Sequence, residues 1–255
     1  MSISHGPTTL DLHEACANLA ADAGELLVRT RAAYAGPDAQ GLKDLGDQVS
    51  HEFLLAAINE RFPGIPVLSE EGHDTTDRLH AERVFIVDPL DGTREFGERP
   101  RDDWAVHVAI WERGRLVAGA VALPARQVTY ATGAGRRLPG RQPGPLRLAV
   151  SRSRPPALVT DLADRFEAEL VPMGSAGVKA MAVVDGSVDA YVHAGGQYEW
   201  DSAAPVAVAA AYGLVTTRED GSALAYNQPD PYLPGVLIAR PEVAVELQHS
   251  IDRIS

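Results

Sequence analysis

Apolar residues recur at helical spacing near the start of the chain, at Leu12, Ala15, Cys16, Leu19, Ala23, Leu26 and Leu27. With Thr8 or Thr9 as a cap and Tyr34-Ala35-Gly36-Pro37 as a stop, they predict an amphipathic helix over 9–33. The polar, glycine-containing stretch 36–48 carries Lys43, Asp44 and Asp47 and reads as a loop. A second helix over 50–61 turns Phe53, Leu54, Ala57 and Ile58 inward and stops at Phe62-Pro63-Gly64. The apolar run 65–68 predicts a short strand, and the polar residues 72–82 a mobile surface loop. Val84 to Val87 predict a buried strand that ends at Pro89, which has no N–H for the ladder. Alternation through Trp104, Val106, Val108 and Ile110, a turn at Glu112-Arg113-Gly114 and the run 116–123 predict an antiparallel hairpin. Residues 128–131 add a strand.

Residues 133–145 are rich in Gly, Pro and Arg and lack periodicity. They divide the chain into an α+β domain over 1–140 and an αβα domain over 141–255. In the second part, strands at 146–150 and 188–192 alternate with helices at 156–169 and after Gly174-Ser175. An alanine-rich helix runs from Asp201 to Tyr212; two more strands and a helix over 241–253 follow. Such alternation predicts a layered α/β fold.

Composition narrows the options. The 255 residues are 45% hydrophobic, ample for a packed core. A net charge of −12 argues against a nucleic-acid polymer as partner. Lys43 and Lys179 are the two lysines, so arginine carries nearly all positive charge. Cys16 is the one cysteine, which excludes an intramolecular disulfide and a cysteine-based zinc site; it is expected in the core. No stretch resembles a signal peptide or is long enough to span a bilayer, so the expectation is a cytoplasmic protein without a membrane partner.

The chemistry concentrates at Asp88-Pro89-Leu90-Asp91-Gly92-Thr93. Two carboxylates three residues apart converge on one turn, beside the unpaired N–H groups of a helix opening at Thr93. Carboxylate oxygens suit hard divalent cations, and free N–H groups suit phosphate. Other acidic elements end at Glu70-Glu71 and at Glu199-Trp200-Asp201. Glu70, Asp88, Asp91 and Asp201 therefore form a proposed cage for Mg2+, with Asp88 bridging two ions and Glu71 behind the ligands. The Thr93 hydroxyl is placed to join a proton relay. Asp47, on its own, reads as a plain loop residue.

These motifs resemble the lithium-sensitive, Mg2+-dependent phosphatases of the inositol monophosphatase superfamily. Residues 88–93 look like that family's first signature, 200–204 like its second, Glu70-Glu71 like its acidic pair, and 174–186 like its phosphate- and sugar-side segment. The likeness runs from about residue 10 to 240. It is nearest the CysQ-type 3'(2'),5'-bisphosphate nucleotidases, through Arg94-Glu95-Phe96, Ser151-Arg152-Ser153, Lys179 and Leu224-Ala225-Tyr226-Asn227. The resemblance implies a five-layer αβαβα sandwich, a homodimer, and two to three Mg2+ ions per site. It puts Glu70, Asp88 and the Leu90 carbonyl on one ion, and Asp88, Asp91 and Asp201 on a second. A third, looser ion would lie near Glu70. Thr93 and Asp47 would activate the water, and lithium would inhibit by replacing an ion. Gly92, Thr93, Ser151, Arg152, Ser175 and Lys179 would face the phosphorylated substrate, with Lys179 and Arg152 toward its second phosphate. His193 either lines the pocket or ends a strand.

The chain departs from the family pattern at Phe53, where an acid is usual and whose role is lost or passes to Glu52, at Pro205, and at Gly72-His73. None of these is a proposed metal ligand. The expected activity is hydrolysis of 3'-phosphoadenosine-5'-phosphate to AMP and phosphate. The rivals are an inositol-1-phosphatase, a fructose-1,6-bisphosphatase, a silent phosphate-binding protein and a calcium-binding structural site.

Overall fold

The computed structural model describes residues 9–36, 38–135 and 137–254, with side chains from Leu12 onward. The proposed cap at Thr8 lies outside the described residues. Helices α1 (Thr9–Ala33) and α2 (Ala39–Arg61) precede β1 (Val67–Ser69), β2 (Arg83–Asp91), the short helix α3 (Thr93–Gly97), β3 (Ala105–Glu112), β4 (Arg115–Leu123) and β5 (Val128–Ala131). Then come β6 (Arg147–Ser151), α4 (Ala157–Phe166), β7 (Glu169–Met173), α5 (Ala176–Val184), β8 (Ala190–Tyr198), α6 (Glu199–Ala211), β9 (Val215–Thr217), β10 (Tyr232–Ala239) and α7 (Pro241–Ile254).

The strands form two five-stranded sheets, ordered β1-β2-β3-β4-β5 and β7-β6-β8-β10-β9. In the first, β1 pairs parallel with β2 and the other pairings are antiparallel. In the second, β6 runs parallel to both β7 and β8. Alternation along each strand feeds two cores. Val106, Val108 and Ile110 face α1 and α2. Ala105 and Ala109 face a middle layer built by α5 and α6. Tyr191, Val236 and Ile238 close that layer from the second sheet, whose other face (Leu148, Val150, Val192, Leu237) packs on α4 and α7. The result is the expected αβαβα sandwich. A helix covered by sheets on both sides must be apolar all round. The Ala/Val run of α6 meets that need, and at Gly119 an added Cβ would lie 2.9 Å from the Ala207 methyl.

Four expectations need correction. Residues 39–48 are not a loop but the first half of α2, capped by Asp38, whose Oδ1 accepts the Gly41 N–H at 2.7 Å. Gly46 disguised this, and its reason is packing. A Cβ there would lie 2.6 Å from the Phe96 ring and 2.9 Å from the Leu90 side chain. Pro89 does not end the ladder. β2 bulges between Asp88 and Asp91 and pairs again at Asp91–Ala105, while the Pro89 carbonyl accepts the Ser50 hydroxyl at 2.6 Å. A bulge is where a strand tolerates proline. α4 stops at Phe166, with Glu167 left-handed (φ 48°), and β7 begins where the pattern predicted more helix. Residues 76–80 form a 3₁₀ turn that buries Arg78. Cys16 is buried in α1, as expected.

Candidate active site and metal centre

The site forms where β2, α2 and the starts of α3, α5 and α6 meet. The bulge after Asp88 turns both Asp88 and Asp91 toward the middle layer. Gly92 makes the turn possible at φ +87°, a conformation a side chain would strain. Asp201 lies in the first turn of α6, where one oxygen accepts the Tyr198 N–H at 2.6 Å. It therefore serves as a helix-start group and also faces the other two acids. Asp88, Asp91 and Asp201 each offer an oxygen within 4.8 Å of the others.

Asp91 is held most firmly. Its oxygens accept the Ser175 hydroxyl at 2.5 Å, the Ala176 N–H at 3.1 Å and the Gly177 N–H at 2.7 Å, all at the start of α5. His107 Nε2 lies 3.1 Å from its Oδ2. Burial alone would raise the Asp91 pKa, but His107, Ser175 and Lys179 outweigh it and hold the carboxyl below its usual range. The other acids move the opposite way. Burial, then Glu70, Asp91 and Asp201, push Asp88 well above the ordinary value. Burial and Asp91 bring Asp201 up to about 6, against the pull of the Tyr198 N–H. Glu70 rises to about 7, first from the protein around its carboxyl, then from Asp201, Asp91, Glu71 and Asp47.

A cluster that resists its own ionisation is one that favours a cation. Asp88 Oδ1 accepts the Leu90 N–H at 3.0 Å, whereas its buried Oδ2 has no hydrogen-bond partner among the described residues. An all-oxygen donor set with an unsatisfied buried carboxylate fits a hard divalent ion. Glu70 stands outside the tight trio but within its field.

Asp47 reaches the site because α2 passes close over the central turn at Gly46. The Thr93 hydroxyl lies 3.3 Å from Asp47 Oδ1 and 3.0 Å from the Leu90 carbonyl oxygen. Burial, then Glu71, raise the Asp47 pKa to about 7. Asp47, Glu71, Glu52 and His51 share a small recess beside it. Phe53 instead packs against the core.

On the other side of Asp91 and Asp201 opens a cavity of about 630 Å³, lined by Ser151, Arg154, Ser175, Lys179, Tyr191, His193 and the Gly195-Gly196 turn. Lys179 is buried; its Nζ donates to the Ser175 carbonyl at 2.6 Å and lies 5.3 Å from the Tyr191 ring. Arg152 does not line the cavity. Its guanidinium donates to Glu95 at 2.9 Å and Glu98 at 2.6 Å, on and just after α3. Arg154, two residues on, is the arginine at the cavity wall. His193 both lines the cavity and lies 3.2 Å from the Gly196 carbonyl oxygen.

Two residues at the site escaped the sequence reading. His107 is a buried histidine in an otherwise apolar strand. Its Nδ1 is 3.1 Å from the Trp200 carbonyl and its Nε2 faces Asp91, so both nitrogens meet acceptors. Burial opposes its charge, but Asp91 and the Trp200 carbonyl prevail and raise its pKa. The signal in the sequence was a single polar residue between Val106 and Val108. Asp103 accepts the Gly174 N–H at 2.7 Å and pairs with Arg101, fixing the turn before α5. It carried no motif.

Carboxylates gathered between two sheets, at the starts of buried helices and beside a polar cavity, offer the donors a divalent cation takes and space for a ligand next to them. Residues 12–250 match the inositol monophosphatase family model. The chain is 51% identical over 231 residues to a 3'-phosphoadenosine 5'-phosphate phosphatase from Mycobacterium tuberculosis, covering 88% of this chain and 86% of that one. It is 30% identical over 206 residues to the 3'(2'),5'-bisphosphate nucleotidase CysQ of Escherichia coli K12, covering 76% and 83%. The crystal structure of CysQ from Bacteroides thetaiotaomicron superposes with a TM-score of 0.77 at 26% identity, over 89% of this chain and 96% of that one. The chain belongs to the inositol monophosphatase family and is a phosphoric monoester hydrolase. No helix among the described residues is long and apolar enough to cross a membrane.

Proposed function

We propose that the protein hydrolyses the 3'-phosphate of 3'-phosphoadenosine-5'-phosphate, giving AMP and phosphate, with Mg2+ held by Glu70, Asp88, Asp91, Asp201 and the Leu90 carbonyl. The observation that carries this reading is the pairing of the carboxylate trio with the adjoining polar cavity. Phosphate chemistry belongs at the trio. The cavity has room for the rest of a nucleotide, with cationic Arg154 and Lys179 to meet a second phosphate. The Mycobacterium tuberculosis relative is named for this substrate and CysQ for the wider class of 3'(2'),5'-bisphosphate nucleotides, and both names support the reading.

Mg2+ bound there would neutralise the phosphoryl oxygens and lower the pKa of an attacking water. The protein's own groups do the rest. Thr93 directs its hydroxyl at either Asp47 or the Leu90 carbonyl, which orients a water lying beside it. Asp47, titrating near 7, is matched to accept that water's proton at neutral pH. The backbone at Gly92 and Thr93, at the open end of α3, faces the phosphate. Ser175 and His107 hold Asp91 in one orientation, so the charge it contributes is pre-aimed. A third, looser ion would lie near Glu70, and lithium would inhibit by displacing Mg2+.

The test is phosphate release with Mg2+ from 3'-phosphoadenosine-5'-phosphate, inositol-1-phosphate and fructose-1,6-bisphosphate, each with and without lithium. A dominant kcat/KM for the nucleotide, suppressed by lithium, is expected. Preference for either other substrate would overturn the nucleotide assignment and keep the metal site.

A further inference from the structure

Arg78 is among the largest fully buried side chains, although it comes from a stretch whose composition reads as a surface loop. Its guanidinium donates to both oxygens of Asp74 at 2.7 and 2.8 Å, to Asn227 Oδ1 at 2.8 Å and to the Gln228 carbonyl at 2.8 Å. Asn227 returns a bond through Nδ2 to the Arg78 carbonyl at 3.2 Å. The next link is Glu199, which is 1% exposed. Its carboxylate accepts the Asn227 N–H at 2.6 Å and the Gln228 N–H at 2.7 Å. Asn227 holds this bridge in a left-handed conformation, φ +60°, which asparagine tolerates better than most residues.

The ends of this chain of bonds are what give it meaning. Arg78 closes the loop that begins at Glu70-Glu71. Glu199 is the first residue of α6, two before Asp201. A buried guanidinium and a buried carboxylate are each expensive to desolvate, and a leucine pair would pack as well. What directional bonds add is orientation. We infer that Arg78, through Asn227 and Glu199, is a positioning residue that sets the loop bearing Glu70 against the helix bearing Asp201. It would thereby fix the spacing of ligands contributed by the two halves of the chain. This rests on the metal reading above.

The test is Mn2+ binding to the full chain, read as free-ion EPR signal, alongside thermal unfolding. The variants are R78M and N227G; glycine keeps the left-handed backbone and the N–H to Glu199 while removing the side-chain link. L162A, in the outer core on α4, is a destabilised control remote from the site. Both latch variants should raise the half-saturating Mn2+ concentration about 10-fold, the scale for outer partners of metal ligands. L162A should lower Tm and leave it unmoved. Wild-type-like binding by R78M and N227G, whatever their Tm, overturns the latch. A shift in R78M alone overturns the role given to Asn227, because the link would then run through the Arg78–Gln228 carbonyl bond, which N227G keeps. If R78M does not fold, N227G decides. A wild type whose Mn2+ binding is absent, or survives D88N, overturns the metal reading itself and removes the latch with it.

Discussion

Gly46→Ala separates two effects that usually point the same way. In an exposed helix interior the change stabilises by about 1 kcal/mol, because alanine loses less backbone freedom and shields the helix. At position 46 the new methyl would lie 2.6 Å from the Phe96 ring and 2.9 Å from Leu90. Both neighbours are fully buried, so neither can swing aside. Overpacking of this kind costs roughly 1–3 kcal/mol. The net expectation is a loss of about 1 kcal/mol, or a Tm drop of roughly 2–4 °C for a chain of this size. The larger effect should be on turnover. The cheapest relief is for α2 to move off the central turn, which lengthens the 3.3 Å Thr93–Asp47 contact. Loss of a positioned general base lowers kcat by about 10²–10⁴-fold. Gly41→Ala in the same helix is the control. Its nearest obstacle is the far end of the half-buried Tyr34 side chain, which can yield. The assays are thermal unfolding and phosphate release at saturating Mg2+. A G46A protein that is stabilised by about 1 kcal/mol and turns over like the wild type would refute the claim that glycine is there to let Asp47 reach the site.

Three further outcomes follow from the site. Asp88→Asn should abolish turnover and the Mg2+-induced rise in Tm, yet leave the metal-free protein as stable as wild type or more so, since it removes a buried carboxyl whose ionisation its neighbours oppose; near-normal activity would sink the bridging role. In the metal-free protein, Glu70, Asp47 and Asp201 have folded pKa values of about 7, 7 and 6, above their unfolded values. Their ionisation therefore opposes folding, and stability should fall as pH rises from about 4 to 7. Saturating Mg2+ should flatten that slope in a Tm-versus-pH series, and an unchanged slope would count against these acids as ligands. Arg152→Ala should lower Tm by freeing Glu95 and Glu98 while leaving the KM ratio of bisphosphate to monophosphate substrate unchanged. Arg154→Ala should raise KM for the bisphosphate selectively; the reverse pattern would return the substrate role to Arg152.

The sequence by itself determined whatever is written in local spacing. Strand and helix periods revealed most elements and the layered α/β class. The acids at 88, 91 and 201 stood out because they lie at element ends, where the backbone turns, and the fold brings the three together. Cys16 read as core because it lies on an apolar stripe. What the sequence could not express was contact across the fold. Gly46 looked like a loop residue because the Phe96 ring that demands it is fifty positions away. Pro89 looked like a strand terminator because a bulge is a property of two strands. Arg152 and Arg154 are indistinguishable as neighbours in a polar turn; only the positions of Glu95 and Glu98 decide which one is occupied and which one lines the cavity. His107 and Arg78 gained their meaning from acceptors contributed by α6 and by residues 227–228. Burial assigns such polar residues their roles, because a buried donor must find its partner wherever the tertiary structure brings one.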